Sequence, residues 1–305
     1  MIEQLLNDLH GAFAENTLRA YRADFKVFRA WCTSNEIDPL SASATEVASF
    51  VEAQAQHRTT ATIRRRIASI STLLKLNNYP DPTRSPEVIL ALKRIHRQKG
   101  RAQKQAAPLT RDILDQLIAV TAQDLVGLRD RVMLMLGYET MRRRSELCNF
   151  RFEDIEYLTQ DKVGIWLRFS KTDQFGEGKF IPVSTALAAL IENWRINMNV
   201  NNGYILREVA KTGRVKPTMR PGSINLRLKV LQRTAKLNQH AELSGHSFRV
   251  GGAIDLLEAG ESLEKIMLRG GWKSESTALR YLRNWQAFPE LPLQTNYYRR
   301  SSRRH

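Results

Sequence analysis

The stretch Val163-Gly164-Ile165-Trp166-Leu167-Arg168-Phe169 decides the fold class, because it is where the chain's hydrophobic period changes. Val163, Ile165, Leu167 and Phe169 alternate with other residues, the two-residue period of a half-buried strand. Residues 170–178 are turn-rich, and Phe180-Ile181-Pro182-Val183 then reads as a returning strand. On both sides of this hairpin the apolar residues recur every three or four positions. The expected class is therefore mainly α with a small antiparallel β-sheet.

Working toward the N-terminus, Leu18, Tyr21, Phe25, Phe28 and Trp31 predict a helix with one buried face. Ser43-Ala44-Thr45-Glu46 matches a capping box, in which the serine and the glutamate each satisfy an orphan backbone N–H at a helix start. A third helix is expected from about Thr60 to Leu76, with Ile63, Ile67, Ile70 and Leu74 inward and Arg64, Arg65 and Arg66 side by side. The proline-rich stretch around Pro80, Pro82 and Pro86 breaks this pattern, and residues 97–105 carry no apolar period. The reading divides the chain into a helical domain at 1–97, a basic linker at 98–107, a second domain at 108–288 and a basic tail at 289–305. In the second domain, helices are expected through Ile113 and Leu117, through Val132 to Leu136, and from Thr185 onward.

Lys and Arg number 47 against 31 Asp and Glu, a formal net charge of +16 over 305 residues. Such a field attracts polyanions, nucleic acid among them. Cys32 and Cys148 lie far apart with no CxxC spacing, so neither a disulfide framework nor a zinc site is indicated. No apolar stretch approaches the roughly 20 residues of a bilayer-spanning helix, and a cytoplasmic protein is expected.

Against that background certain residues suggest chemistry on a phosphodiester. Breaking a DNA strand without metal requires a nucleophile, donors for the charge that develops on phosphorus oxygens, an acid for the leaving oxygen and a base. In Thr140-Met141-Arg142-Arg143-Arg144-Ser145-Glu146-Leu147, Glu146 stands three residues after Arg143, placed to fix its guanidinium, whose planar fork can bond two phosphoryl oxygens at once. Lys171 and Lys179 flank the hairpin turn, either able to donate a proton to a departing 5′ oxygen. In Ser244-Gly245-His246-Ser247-Phe248-Arg249, His246 and Arg249 share a helix face. Trp272 in Gly270-Gly271-Trp272 offers an indole N–H, and Tyr281 in Leu279-Arg280-Tyr281-Leu282-Arg283 offers a nucleophilic phenol. Taken singly, each has a bland alternative in a solvated arginine face, a core tryptophan or a surface tyrosine.

Their order, Arg…Lys…His-x-x-Arg…Trp…Tyr, resembles the tyrosine recombinases. The stretch SGHSFRVGGAIDLLEAG with GGW and RYLRN is similar to the Cre-type branch of that family. The resemblance implies a two-domain architecture, a helical core-binding domain followed by an α/β catalytic domain. It implies Arg143, Glu146, Lys171, His246, Arg249, Trp272 and Tyr281 as the catalytic set, with Lys179 as the fallback for Lys171. Many members carry Gly-Leu where this chain has Met141-Arg142, so the choice among Arg142, Arg143 and Arg144 rests on the Ser-Glu-Leu that follows.

The implied activity is site-specific recombination through a 3′-phosphotyrosyl intermediate, exchanging strands between two duplexes without ATP, metal or any other cofactor. The implied partner is double-stranded DNA carrying inverted-repeat sites, held by a homotetramer and encoded by a bacterium, phage or plasmid. Arg64, Arg65, Asn225 and Arg227 are the candidate DNA-reading residues. The tail after Pro289 is a candidate for docking on a neighbouring subunit. Two other readings compete: a type IB topoisomerase that nicks and reseals, and a DNA-binding protein that does not cut.

Overall fold

The computed structural model describes residues 2–7, 9–100, 105–170, 178–210, 212–238 and 240–282. Lys171 and the tail at 289–305 lie outside them. The chain divides into two compact units, residues 1–104 and 105–305.

The first unit is helical: α1 (Ile2–Asn7), α2 (Glu15–Ser34), α3 (Ala44–Ala55), α4 (Thr60–Leu76) and α5 (Pro86–Lys99). Its ends form where local chemistry demands. Ser43 caps α3 by the expected box, its backbone N–H donating to Glu46 Oε2 at 2.6 Å while Glu46 N–H returns to Ser43 Oγ at 3.3 Å. Thr59 caps α4, and Pro86 opens α5 where its missing N–H costs nothing. The helix α5 runs on to Lys99, so Gln98 and Lys99, read by composition as linker, belong to its last turn. Packing of α2 on α4 and of α3 on α5 buries Leu18, Phe25, Phe28, Phe50, Ile63, Ile70 and Leu73 in one core. Phe28 and Phe50 meet edge to face at 5.0 Å. Tyr21 and Trp31 are only partly buried, while Cys32 lies inside with its thiol pushed up to about 11 by burial.

The second unit comprises α6 (Arg111–Ala119), α7 (Leu125–Thr140), α8 (Arg144–Asn149), β1 (Ile155–Thr159), β2 (Lys162–Leu167), β3 (Lys179–Val183), α9 (Thr185–Asn197), α10 (Pro221–Thr234), α11 (Ser247–Glu258), α12 (Leu263–Gly270) and α13 (Glu275–Leu282). The strands form one antiparallel sheet in the order β1-β2-β3, with Ile165 opposite Ile155 on one side and Ile181 on the other. Val163, Ile165 and Leu167 are buried as their alternation requires. Phe169 departs from it, lying beyond the end of β2 and 60% exposed. The strand β1 escapes a sequence reading because Glu156, Tyr157, Leu158 and Thr159 are all exposed and carry no buried alternation.

The helix α7 is buried on nearly every side, against α9, α11 and α6. A second, smaller apolar cluster of Met141, Val250, Ala253, Ile254, Ile266, Trp272, Ala278 and Leu282 joins α11, α12 and α13. Among the described residues no helix is long and apolar enough to cross a membrane. Both cysteines are free and buried.

Candidate active site

The site is built where the end of α7, the start of α11 and the α12–α13 segment converge. Helix α7 stops at Met141, which takes the left-handed conformation at φ 52°. That region favours glycine, and a non-glycine residue there costs about 1–2 kcal/mol. The Met141 carbonyl accepts a hydrogen bond from Arg249 Nη1 at 2.5 Å, and its side chain is buried in the smaller apolar cluster.

The three consecutive arginines that follow have three different fates. Arg142 is buried, its Nε donating to Thr140 O at 2.8 Å. Arg143 caps α8: its backbone N–H donates to Glu146 Oε2 at 3.0 Å and its Nη1 to Glu146 Oε1 at 2.8 Å, while its side chain stays 27% exposed. Arg144 lies against Gly245, where an added β-carbon would fall 2.1 Å from Arg144 Cγ. Arg143 is thus the arginine with a fixed fork and a solvent-facing side. Burial works to raise the Glu146 carboxyl, but the Arg143 backbone and side chain outweigh it and hold it below its ordinary value.

His246 stands at the N-terminus of α11 in a loop that is itself held in place. Asn225, on α10, accepts the Gly245 N–H at 2.9 Å, and the Ser244 N–H donates to Ser247 Oγ at 2.9 Å. The imidazole borders solvent, yet desolvation, then Arg249, Arg144 and Arg143, push it below its ordinary value and keep it neutral near pH 7. One turn on, Arg249 is 1% exposed. Its guanidinium carbon lies 4.8 Å from the Trp272 ring centre and 5.7 Å from that of Tyr281. Trp272 and Tyr281 stack with their centroids 4.9 Å apart. Three buried donors, Arg249 Nε, Arg249 Nη2 and Trp272 Nε1, have no hydrogen-bond acceptor among the described residues.

Of the expected constellation, Arg143, Glu146, His246, Arg249, Trp272 and Tyr281 therefore converge on one cluster of side chains. Lys171 lies outside the described residues. Lys179 opens β3, half-buried, and donates to the Leu268 carbonyl at the end of α12; burial, then Arg142, lower it from its ordinary value.

With that geometry in view, the Phage integrase family pattern matches residues 108–287, and the N-terminal SAM-like domain of phage integrases matches residues 2–76. The chain belongs to the phage integrase family of tyrosine recombinases. The chain is 28% identical over 295 residues to an integrase/recombinase XerD homolog of Selenomonas ruminantium, covering 93% of this chain and 86% of that protein. It is 26% identical over 292 residues to recombinase Cre of Escherichia phage P1, covering 90% and 85%. A lambda integrase tetramer bound to a Holliday junction superposes with a TM-score of 0.64 over 92% of this chain and 74% of that one. At 15% identity that likeness speaks for the fold alone.

The residues singled out for DNA reading are placed less freely than their exposed-face pattern implies. Arg64 is exposed on α4. Arg65 is half-exposed but ion-paired to Asp24, a buried carboxylate that also accepts from Ser69 Oγ at 2.8 Å. Arg227 is bound at both ends of its fork to buried Asp130, at 3.2 and 2.5 Å. Asn225 spends its side-chain oxygen on Gly245. The loop-holding role of Asn225 and the buried role of Arg142 have no signature in sequence, since each depends on a partner more than 15 residues away.

Proposed function

We propose that this chain is a site-specific DNA recombinase that cleaves and rejoins strands through a 3′-phosphotyrosyl link. The observation that carries the reading is the set of buried donors beside Tyr281 that have no hydrogen-bond acceptor among the described residues. Each orphaned buried donor costs about 1–3 kcal/mol. Phosphoryl oxygens accepting from Arg249 Nε, Arg249 Nη2 and Trp272 Nε1 would remove that cost and neutralise charge where it grows in the transition state.

In this reading Arg143, oriented by Glu146, and Arg249 clamp the phosphate. Tyr281 Oη attacks phosphorus, forming a P–O bond to the 3′ side as the P–O5′ bond breaks. His246, neutral near pH 7, takes the phenolic proton, and the leaving 5′ oxygen takes a proton from Lys171, or from Lys179 as the alternative. A depressed lysine is a stronger acid than a free one, which suits Lys179 to that alternative. A 5′ hydroxyl of a second duplex then attacks the phosphotyrosyl link, so the bond is exchanged and not hydrolysed. The helical first domain would grip the core of an inverted-repeat site with Arg64 and Arg65, the second domain would hold the cleavage point, and the tail at 289–305 would dock on a neighbour within a homotetramer on two duplexes. A cytoplasmic location fits such a substrate.

The test is capture of SDS-resistant protein–DNA adducts from fragmented DNA of the source genome, with Tyr281→Phe in parallel. One recurring site recovered from wild type alone supports the reading. Relaxation of supercoils without site preference or exchanged products would favour a type IB topoisomerase. Equal non-covalent recovery from both proteins would leave a binding protein that does not cut.

A further inference from the structure

Arg142 is a buried cation that the proposed chemistry does not use. It is 3% exposed, and no ion pair among the described residues engages it. Burial, then Arg249, push its guanidinium down to about 10, so it stays charged at neutral pH. A charge taken out of water without a counter-ion is costly, and a position that merely needed filling would be served by an apolar side chain.

What Arg142 does instead is join two helix ends. Its Nε donates to Thr140 O at the end of α7, at 2.8 Å, and its Nη2 donates to Arg269 O in the last turn of α12. The clasp is reciprocal, because Arg269 Nε donates back to Glu139 O at 3.2 Å. Gly271, the left-handed residue that ends α12 at φ 67°, packs directly on the guanidinium; a β-carbon there would lie 2.4 Å from Arg142 Nη1. The last carbonyls of a helix carry partial negative charge, so a cation is suited to them, and Lys179 on Leu268 O reinforces the same end. Trp272 follows Gly271 immediately, and α13 carries Tyr281. Apart from this clasp and the Lys179 bond, the segment is held by the smaller apolar cluster on α11 and, at its far end, by Gln105 Nε2 donating to the Tyr281 carbonyl at 2.8 Å.

We propose that Arg142 is a positioning residue that clasps the α12–α13 segment, with Trp272 and Tyr281, onto the turn that carries Met141 and Arg143, and so sets the reach of the tyrosine to the phosphate clamp. The catalytic consequence rests on the strand-transfer reading above; the clasp itself does not.

The experiment compares the full-length wild type with Arg142→Leu, which fills space without donors, and Arg142→Lys, which restores one donor. Arg142→Met, equally without donors, carries the same expectations as leucine should that variant not fold. Amide hydrogen exchange of the DNA-free protein is read over residues 263–282 and over α10, and covalent adduct formation is followed in single turnover at saturating DNA. In Arg142→Leu, exchange over 263–282 rises tenfold or more with α10 unchanged. The adduct rate falls ~10- to 100-fold, the scale of a misplaced reacting group, at unchanged DNA affinity. Lysine recovers part of both. Exchange over 263–282 that matches wild type, or that rises equally throughout the second unit, overturns the clasp. Faster exchange with an unchanged adduct rate overturns the positioning role. No adduct from wild type would sink the strand-transfer reading and the catalytic half of the proposal with it, while the exchange data would still decide the clasp.

Discussion

The Arg249 guanidinium lies 4.8 Å from the centre of the Trp272 ring, with both side chains buried and three of their N–H donors without an acceptor among the described residues. The ring face stabilises the cation, but it leaves the in-plane donors to an outside acceptor. Arg249→Lys keeps the charge and loses the fork. Its adduct rate is expected to fall ~100- to 1,000-fold, the scale of removing a preorganised donor at a developing oxyanion. Trp272→Phe keeps the ring and loses only Nε1, so its loss is smaller, roughly tenfold. Quenched-flow measurement of adduct formation on a nicked half-site checks both, and equal rates for wild type and Arg249→Lys would count against the clamp.

His246 supplies a pH signature. Desolvation and three arginines depress its pKa, so the neutral imidazole persists below the ordinary histidine value of about 6.5. The acid limb of the cleavage rate therefore lies below that value. Arg144→Gln removes one of the depressing charges, raises the His246 pKa and moves the limb to higher pH. A limb that stays in place would show that the titrating group is not His246.

Glu146 is tested through stability. Its folded-state pKa is lowered, so its contribution is fully present above the unfolded value of about 4.3 and is lost as pH falls through the folded one. Glu146→Gln strands the Arg143 fork and is expected to cost ~2–4 kcal/mol near pH 7, as a broken, largely buried pair does. The gap to wild type should narrow as the pH falls below the unfolded value and through the lowered folded one, which urea denaturation at several pH values would reveal.

The arginines on α4 and α10 separate by partner. Arg227→Ala uncovers buried Asp130 and should lower stability by ~1–3 kcal/mol while leaving site preference unchanged. Arg64→Ala touches no carboxylate among the described ion pairs. It should weaken DNA binding and reduce the slope of log K against log salt by about 1 if it meets a phosphate, or relax preference at one base if it reads one. Thermal melts and salt-titrated binding distinguish the two variants.

Much of this protein is legible in its sequence because the forces involved are local. Helical spacing in α2 and α4, the Ser43–Glu46 box and the alternation in β2 all act within one turn or one pleat, and each appears where the residues place it. The hidden parts are those whose partners come from far along the chain. Exposed β1 carries no buried face to announce it. Arg65 and Arg227 look like free cations on a polar face until Asp24 and Asp130 are brought beneath them.

The sequence by itself determined the fold class and the family, since a period change and an ordered set of residue types need no coordinates to be seen. Only the tertiary structure decided which of Arg142, Arg143 and Arg144 faces outward with its fork fixed and which is buried as a clasp. The left-handed turn at Met141 sets the direction of each successive side chain, and one of the two carbonyls that capture Arg142, that of Arg269, comes from a helix more than a hundred residues away. Adjacent residues of one type carry the same local propensities, so what separates them is the long-range packing that gives each a different neighbour.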